Sequence, residues 1–218
     1  FKHQIKKILL ISPPQFQTSF IDLDILKNKR YFNYPPYGLG LLRKSLVEKG
    51  YDVKILDLNF ELLALANTFV DNPKKLNLYM KQYKIKSNSD KNYLNYEYDE
   101  KSFKLLDHNT IQAISVDNLM IPKLDEILEK FKPDIAGITC MFTMTHNRMI
   151  RIAQRVKKIC NNAVVFAGGV HPTSSAELIL KEEKSIDFIS LYEGDQSFPQ
   201  LIDYVNKKNN DTRSVRQT

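Results

Sequence analysis

Cysteine is scarce in this sequence, and long apolar runs are absent from it. The 218 residues include two cysteines, Cys140 and Cys160, which are too few for a disulfide framework or an all-cysteine metal site. No stretch of about 18 consecutive apolar residues occurs, so the sequence predicts neither a membrane span nor an exported protein. We therefore expect a protein of the reducing cytoplasm.

The charge is positive overall, but the sequence does not concentrate it in a basic patch. Lysine and arginine together number 32, against 25 aspartates and glutamates, which gives a net charge of +7. These basic residues are scattered and are mostly lysine. Scattered lysine is typical of a solvated surface. The sequence therefore predicts no nucleic-acid partner.

Glycine is also scarce, and its distribution marks an insertion. Seven glycines occur, and none of them lies between Gly50 and Gly137. That gap contains residues 59–116, a tyrosine-rich stretch with polar patches and no clear strand-and-helix rhythm. We predict that it is a partly helical insertion between the second strand and the following helix, with helical stretches at 60–69 and 76–83. Insertions of this length are usually functional or partly disordered.

The rest of the chain alternates short apolar runs with amphipathic stretches. The apolar runs predict five strands, at residues 5–11, 52–57, 134–141, 163–167 and 186–192,. Each is followed by a predicted helix. Pro122 suits the first turn of one of them, and Ser174 with Glu177 forms a capping box that opens another. Because crossovers are right-handed, five strands favour a Rossmann-like, flavodoxin-type α/β fold: a doubly wound parallel sheet in the order 2-1-3-4-5.

In such a sheet all five carboxyl ends meet at one edge, where open α/β folds bind ligands. The predicted edge comprises Ser12 to Phe16, Asn59, Thr139 to Thr143, Gly168 to His171, and Glu193 to Asp195. It offers hydroxyls, bare backbone, methionine and phenylalanine but few charges, so a large and mostly neutral ligand fits it. No G-x-G-x-x-G follows the first strand and no P-loop occurs, which excludes the usual dinucleotide and triphosphate sites.

The pair Gly168-Gly169, at the end of the fourth apolar run, is the most informative local feature. A β-branched and aromatic run that stops at two glycines is typical of a buried strand whose end passes close to something bulky. Taken alone, the pair is better explained by a tight turn.

Five fragments of the sequence, taken in order, resemble a known family. They are residues 35–40, residues 50–53 with Asp57, residues 134–140, residues 168–173 and residues 193–195. Together they resemble the cobalamin-binding domain of cobalamin-dependent radical S-adenosylmethionine enzymes, in the branch that includes the anaerobic magnesium-protoporphyrin IX monomethyl ester cyclase. The resemblance covers the chain apart from the insertion. It implies cobalamin as the cofactor, held base-off at the carboxyl ends of the strands.

The resemblance also implies which residues contact cobalamin. They are Pro13, Pro14, Gln15, Phe16, Tyr37, Gly38, Thr139, Cys140, Met141, Phe142, Thr143, Gly168, Gly169, Val170, His171, Glu193 and Gly194. The Asp-x-His-x-x-Gly motif that ligates cobalt in other cobalamin proteins is replaced by Ser-Pro-Pro-Gln-Phe-Gln at residues 12–17. No histidine ligand is therefore expected, and Pro13 to Phe16 are expected beneath the cobalt.

Two fragments are expected to line the slot for the dimethylbenzimidazole tail. Thr139-Cys140-Met141 stands where the family has Ser-x-Leu, and Gly168-Gly169 matches its glycine pair. Three reactive side chains near this edge are not expected to be catalytic or to bind a metal. His171 is interpreted as a loop or propionamide contact and His146 as a capping or packing residue. Cys140 behaves as a small hydrophobe, because no histidine is placed to activate it.

In this family the domain precedes a barrel that carries a Cys-x-x-x-Cys-x-x-Cys motif, and this sequence lacks that motif. The resemblance therefore implies a cobalamin-binding domain over residues 1–208, with residues 209–218 beginning a linker. A C-terminal radical S-adenosylmethionine domain of the same polypeptide is expected to hold the 4Fe-4S cluster and S-adenosylmethionine. By itself the chain is expected to be non-catalytic, as a fragment of a methyltransferase or cyclase.

Two other functions remain open at this point. One is a free-standing cobalamin carrier or sensor, and the other is a flavodoxin-like module that binds a different ligand. Receiver-type signalling is disfavoured, because it needs an acidic pair at the end of the first strand and this chain has Ser12-Pro13-Pro14 there.

Overall fold

The computed structural model describes residues 5–16, 20–22, 35–83 and 113–214. The chain divides into two compact units. The sheet unit comprises Phe1–Gln15, Tyr34–Asn59 and Lys123–Thr218, and the second unit comprises Phe16–Asn33 and Phe60–Pro122.

The described residues form seven strands and eight α-helices. The strands are β1 Lys7–Ser12, β2 Phe20–Asp22, β3 Asp52–Asp57, β4 Ala113–Ser115, β5 Ile135–Thr139, β6 Val164–Gly168 and β7 Phe188–Ser190. The helices are α1 Tyr37–Glu48, α2 Leu58–Asp71, α3 Pro73–Gln82, α4 Val116–Phe131, α5 His146–Ile159, α6 Val170–Ser174, α7 Ala176–Glu182 and α8 Gly194–Ser214. A short 3₁₀ helix, Thr143–Thr145, precedes α5.

The sheet unit is built on a parallel sheet in the order β3-β1-β5-β6-β7. Counted along the chain within this sheet, the order is 2-1-3-4-5, so the predicted flavodoxin-type fold is confirmed. Every strand of the sheet therefore delivers its carboxyl end to the same edge. The register aligns Thr139 with Gly168, and Gly168 with Ser190, in one row across that edge.

Helices cover both faces of this sheet, which explains why β1, β5 and β6 are nearly continuous apolar runs. On one face Leu42 and Leu46 of α1 and Phe198 and Ile202 of α8 pack with Ile8, Leu10, Ile135 and Phe166. On the other face α5 packs against β5 and β6 through Met149, Ile152, Ala153 and Val156. Gly137 permits α8 to pack closely on the first face, because a Cβ at residue 137 would lie 3.0 Å from the Phe198 ring.

Two aspartates pin neighbouring strands at the amino edge of the sheet. Asp134, just before β5, accepts hydrogen bonds from the backbone N–H groups of Lys6 and Lys7, both at 2.8 Å. Asp187, just before β7, accepts one from the Val165 N–H at 2.7 Å and pairs with the Lys157 ammonium at 2.5 Å. The Asp134 carboxylate thus fixes the start of β1, and the Asp187 carboxylate fixes the start of β6.

The second unit contains a small antiparallel sheet of β2 and β4, in which Ile21 is aligned with Ile114. Its aromatic contacts centre on Tyr79, whose ring lies 5.3 Å from Phe69 and 4.7 Å from Tyr83 between centroids. The Tyr79 hydroxyl donates to the Leu119 carbonyl at 3.5 Å. The predicted helical stretches at 60–69 and 76–83 correspond to α2 and α3, whereas the two-stranded sheet was not predicted.

Several local predictions are wrong. Pro122 does not open its helix but lies inside α4, which begins at Val116. The expected capping box also fails, because Ser174 ends α6 and its hydroxyl donates to the His171 carbonyl at 2.9 Å. The last strand of the sheet ends at Ser190, two residues before the predicted end, and Gly194 begins α8. α8 extends to Ser214, and the linker predicted from residue 209 onward stays a prediction. Among the described helices, none is long and apolar enough to cross a membrane.

Candidate functional site: the carboxyl edge of the sheet

The loop after β1 is held by two polar side chains. Asn59, at the start of α2, accepts a hydrogen bond from the Gln15 N–H at 2.9 Å through its side-chain oxygen. Arg148 of α5 donates to the Pro14 carbonyl at 3.3 Å. Pro13 and Pro14 are buried, whereas Gln15 is exposed. Gln15 is therefore the side chain that this loop presents to solvent within the sheet unit.

The loop after β5 folds back on itself around Cys140. The Thr145 hydroxyl donates to the Phe142 carbonyl at 2.8 Å, and Cys140 Sγ lies 3.2 Å from the Thr145 hydroxyl and 3.4 Å from that same carbonyl. Burial raises the pKa of the Cys140 thiol, and these hydrogen bonds oppose the rise only in part. The thiol is therefore protonated at neutral pH, which agrees with the interpretation of Cys140 as a structural residue.

Gly169 is required by the protein's own backbone. Its φ is +105°, a conformation that L side chains rarely adopt, and a Cβ there would lie 2.8 Å from the Cys140 carbonyl oxygen,. The chain also hydrogen-bonds across this crossing: the Cys140 N–H donates to the Gly168 carbonyl at 2.8 Å, and the His171 N–H donates to the Cys140 carbonyl at 3.2 Å. For this glycine the tight-turn explanation is sufficient.

Gly168 differs from its neighbour. It lies in β6 with ordinary backbone angles, and a Cβ there would meet Ser190 at 3.5 Å and 3.6 Å, which is normal van der Waals contact. Nothing in the protein itself therefore excludes a small side chain at this position. Gly168 lies between Thr139 and Ser190 in the row that ends the sheet, and side chains in one row point to the same face,. The row thus places a position without a side chain, with room for a Cβ, between two hydroxyl-bearing residues.

The face onto which this row opens can be identified from its neighbours. Gly137 and Phe166 lie two residues before Thr139 and Gly168, and both pack against Phe198 of α8. Side chains two apart in a strand share a face. The Thr139–Gly168–Ser190 row therefore lies on the α1 and α8 face. Tyr37 and Gly38, at the first turn of α1, are exposed, and a Cβ at Gly38 would have no neighbour within 4 Å.

Two histidines meet beside Gly169, an arrangement that the sequence did not predict. His146 Nδ1 lies 2.9 Å from His171 Nε2, and the Thr143 hydroxyl lies 3.3 Å from His171 Nδ1. His171 is buried, and its burial together with the charge of His146 lowers the pKa of His171. The pair fastens α6 to the start of α5. His146 is thus a packing residue, as expected, and His171 is a loop contact of the protein itself.

The loop after β7 carries an exposed aromatic ring. Tyr192 has a φ of +56°, and its N–H donates to the Thr173 hydroxyl at 3.2 Å. Ser190 is buried and hydrogen-bonded to Ser197. Glu193 is exposed and Gly194 is partly exposed. The exposed apolar side chains on the loops of this edge are Met141, Phe142, Met144, Val170, Leu191 and Tyr192.

The predicted site residues of the sheet unit follow the carboxyl ends of its strands, as the topology requires. Direct contacts join Cys140, Thr143, Gly168, Gly169 and His171. Phe16 is buried and belongs to the second unit. Thr145 and Tyr192 were missed as parts of this edge, and so was the contact between His146 and His171. The end of β5 pointed to Thr145, but no sequence signal marked the backbone conformation of Tyr192.

Within the part of the chain that the structure describes, no three histidine, cysteine or carboxylate side chains are grouped closely enough to hold a metal ion. The chemistry of the edge is that of a binding surface: it offers backbone, hydroxyls and apolar side chains around the partly exposed Gly168. Such a surface suits a bulky organic ligand more than a bare ion.

Comparison with known proteins adds a family match over this region. A family model described as the B12 binding domain matches residues 104–202. The match is shorter than half of the chain. It includes β5, β6 and β7 with the loops that follow them, and it leaves out β1 and its loop. It supports cobalamin binding by this chain.

One curated relative covers part of the chain. It is a protein of Pyrococcus horikoshii described as an uncharacterized methyltransferase, and it is 33% identical over 91 residues. The aligned region is 42% of this chain and 20% of the relative. The chain therefore spans about a fifth of the length of that relative.

Proposed function

We propose that this chain is the cobalamin-binding module of a cobalamin-dependent radical S-adenosylmethionine enzyme. The observation that carries the proposal is Gly168, a position without a side chain where the protein leaves room for one. It lies at the carboxyl edge of a flavodoxin-type sheet, inside the region that the B12 binding domain model matches.

The residues around Gly168 fit the dimethylbenzimidazole tail of cobalamin. A flat aromatic group inserted between a sheet and its helices needs a position without a side chain, and Gly168 supplies it. Thr139 and Ser190 border that position in the same row. The Ser190 hydroxyl is buried and bonded to Ser197, so the Thr139 hydroxyl is the one offered to a ribose or a ring nitrogen. Gly137 and Phe198 close the slot from below, because their contact fills the next row of the same face.

Gly169, His171 and His146 have supporting roles in this proposal. The close crossing of Gly169 over Cys140 fixes the direction in which the chain leaves β6. The hydrogen bond between His171 and His146 holds the following turn in place. These residues keep the end of the slot open without needing to contact the cofactor.

The exposed apolar side chains of the edge suit the corrin ring, which is large and largely apolar on its faces. Met141, Phe142 and Val170 are each about half exposed or more. The first two follow β5, and Val170 follows β6. When bound, cobalamin supplies a cobalt centre that carries or accepts a methyl group or assists radical chemistry. This chain's residues contribute binding, orientation and exclusion of water.

We propose base-off binding without a histidine ligand to cobalt. The sequence has no histidine between β1 and β2, and among the described residues 13–16 Gln15 is the exposed one. His171 is buried and bonded to His146 and Thr143, so it is not free to ligate cobalt. Electron paramagnetic resonance of the bound cob(II)alamin tests this: we expect cobalt hyperfine lines without splitting by an axial nitrogen. Nitrogen splitting that disappears in a histidine variant would contradict the assignment.

The enzyme context is supported by the sequence resemblance and by the relative described as a methyltransferase. The gene downstream of residue 218 provides the test. We expect it to encode a Cys-x-x-x-Cys-x-x-Cys motif in the same reading frame. A stop codon soon after residue 218 would instead favour the free-standing carrier.

A further inference from the structure

Two residues other than glycine have a left-handed backbone among the residues that the structure describes, Lys132 with φ +50° and Tyr192 with φ +56°. For a residue with a Cβ this conformation costs free energy, which the surrounding structure must offset. The two positions differ in the reason for the strain.

The conformation of Lys132 follows from ending a helix. Its N–H donates to the Leu128 carbonyl at 2.9 Å, directly after α4, and a left-handed residue at this point is a common way to end a helix. Lys132 also lies at the amino edge of the sheet, because it precedes β5. It therefore needs no ligand to explain it.

The conformation of Tyr192 has no such explanation. It lies between the end of β7 and the start of α8, and its N–H is bonded to the Thr173 hydroxyl. The side chain is 81% exposed, so burial of the ring does not offset the strain. The fold thus keeps a large aromatic side chain in solvent at the carboxyl edge, on a backbone that glycine would adopt more easily.

The neighbours of Tyr192 connect it to the proposed slot. It follows Ser190 by two residues, and Ser190 is aligned with Gly168. Thr173, which bonds its N–H, belongs to α6, the helix that begins directly after Gly169. The backbone of Tyr192 is therefore tied to both segments that border Gly168.

We propose that Tyr192 is a cobalamin-binding residue that contacts the ribose-phosphate of the nucleotide tail through its ring and hydroxyl. This inference rests on the proposed function. A tail that enters beside Gly168 passes the ends of β6 and β7, where Tyr192 stands. The phenol ring covers the sugar, and its hydroxyl is a hydrogen-bond donor for a phosphate oxygen.

The strain gives this proposal a test in which stability and affinity change in opposite directions. Tyr192→Gly removes the strain together with the ring. We expect its unfolding temperature to rise by about 2–4 °C, while its Kd for hydroxocobalamin becomes about tenfold weaker. Lys132→Gly is the matched control, because it relieves the same strain at the opposite edge. Its unfolding temperature is expected to rise similarly, with an unchanged Kd.

A second ligand identifies the part of cobalamin that Tyr192 contacts. Cobinamide lacks the nucleotide tail, so its Kd is expected to be the same for Tyr192→Gly and the wild type. Tyr192→Phe retains the ring and the strain and loses only the hydroxyl, and we expect a smaller loss of affinity, about threefold, for hydroxocobalamin alone.

The outcomes separate the two proposals. If the wild type binds hydroxocobalamin and Tyr192→Gly binds it equally well, the role of Tyr192 is wrong and the proposed function stands. An equal loss of affinity for hydroxocobalamin and cobinamide also overturns it, because the tyrosine would then face the corrin ring. If the wild type does not bind hydroxocobalamin at all, the proposed function fails, and this inference fails with it.

Discussion

At the scale of single residues, two adjacent glycines meet different requirements. Gly169 has a positive φ and crosses the Cys140 carbonyl too closely for any side chain, so the protein's own fold explains it. Gly168 has neither constraint. Of the two glycines, only Gly168 therefore needs a functional explanation. A substitution at Gly168 can change cofactor binding without disturbing the fold, whereas a substitution at Gly169 disturbs the fold as well.

We predict that Gly168→Val prevents cobalamin binding while the domain still folds. The new Cβ has room beside Ser190, so the free energy of unfolding should change by less than about 1 kcal/mol, but the branched side chain fills the proposed slot. The Kd for hydroxocobalamin should weaken by at least about a hundredfold. Titration followed by absorbance measures the affinity, and urea unfolding measures the stability.

Gly40→Ala is the control for this variant. A Cβ at Gly40 meets nothing within 4 Å, and alanine favours a helix, so the variant should bind like the wild type. A folded Gly168→Val protein with wild-type affinity would show that the tail does not enter beside β6.

The histidine pair predicts a dependence of stability on pH. Burial and the charge of His146 lower the pKa of His171 from its ordinary value of 6.5, so the unfolded chain takes up this proton more readily than the folded protein. The stability that the neutral histidine contributes is complete above about pH 6.5 and is lost as the pH falls through the lower folded pKa.

We expect the wild type to lose more free energy of unfolding than His171→Gln when the pH is lowered from about 7 to about 5. Glutamine keeps a polar contact with His146 but does not titrate. Urea unfolding of both proteins across this range, with the difference taken at each pH, separates the histidine from the carboxylates. Parallel curves for the two proteins would show that His171 is not the titrating group.

Residue-level contacts were only partly predictable from the sequence. The identity of the edge residues followed from the strand ends, because parallel topology brings all carboxyl ends together. The pairing of His146 with His171, and the left-handed backbone of Tyr192, depend on the paths of separate loops. Local sequence patterns carry no information on such paths, so these features became visible only in the structure.

At the scale of secondary-structure elements, the amino ends of β1 and β6 are fixed by carboxylates from neighbouring segments. Asp134 binds two N–H groups before and in β1, and Asp187 binds the Val165 N–H of β6. Asp187 and its partner Lys157 are both about one-quarter exposed. These bonds lie at the edge of the sheet opposite the candidate site, so they stabilise the fold without contacting a ligand there.

We predict that Asp187→Ala lowers the free energy of unfolding by about 2 kcal/mol. It leaves the Val165 N–H without its side-chain acceptor and removes the carboxylate partner of the Lys157 ammonium, which keeps its bond to the Ala163 carbonyl. Lys157→Met should cost less, because the aspartate keeps its bond to the strand. Urea unfolding measures both variants. The Kd of folded Asp187→Ala protein for hydroxocobalamin should equal that of the wild type, and a large loss of affinity would mean that the two edges are not independent.

The elements of the sheet unit were predicted well because their apolar runs are strong and regularly spaced. The errors occurred where the local sequence indicates a helix boundary that the structure does not have. Pro122 resembles a helix start, but α4 continues through it from Val116. The spacing of Ser174 and Glu177 fits a capping box, yet Ser174 bonds back to His171. In both places a helix begins or ends at a residue other than the one that the local sequence indicates.

At the scale of the whole molecule, the sheet order brings five strand ends to one edge, and the B12 binding domain match includes three of them. The relative described as a methyltransferase is about five times longer than the aligned region. The account of the chain as a cofactor module therefore depends on one property, the retention of cobalamin by this domain.

The most direct test is to mix the purified chain with hydroxocobalamin, remove free ligand by gel filtration, and record the absorbance spectrum of the protein peak. We predict that cobalamin elutes with the folded protein in a stoichiometric amount, with the spectrum of the base-off form. A folded protein peak without cobalamin absorbance would contradict the account and leave the carboxyl edge to a different ligand.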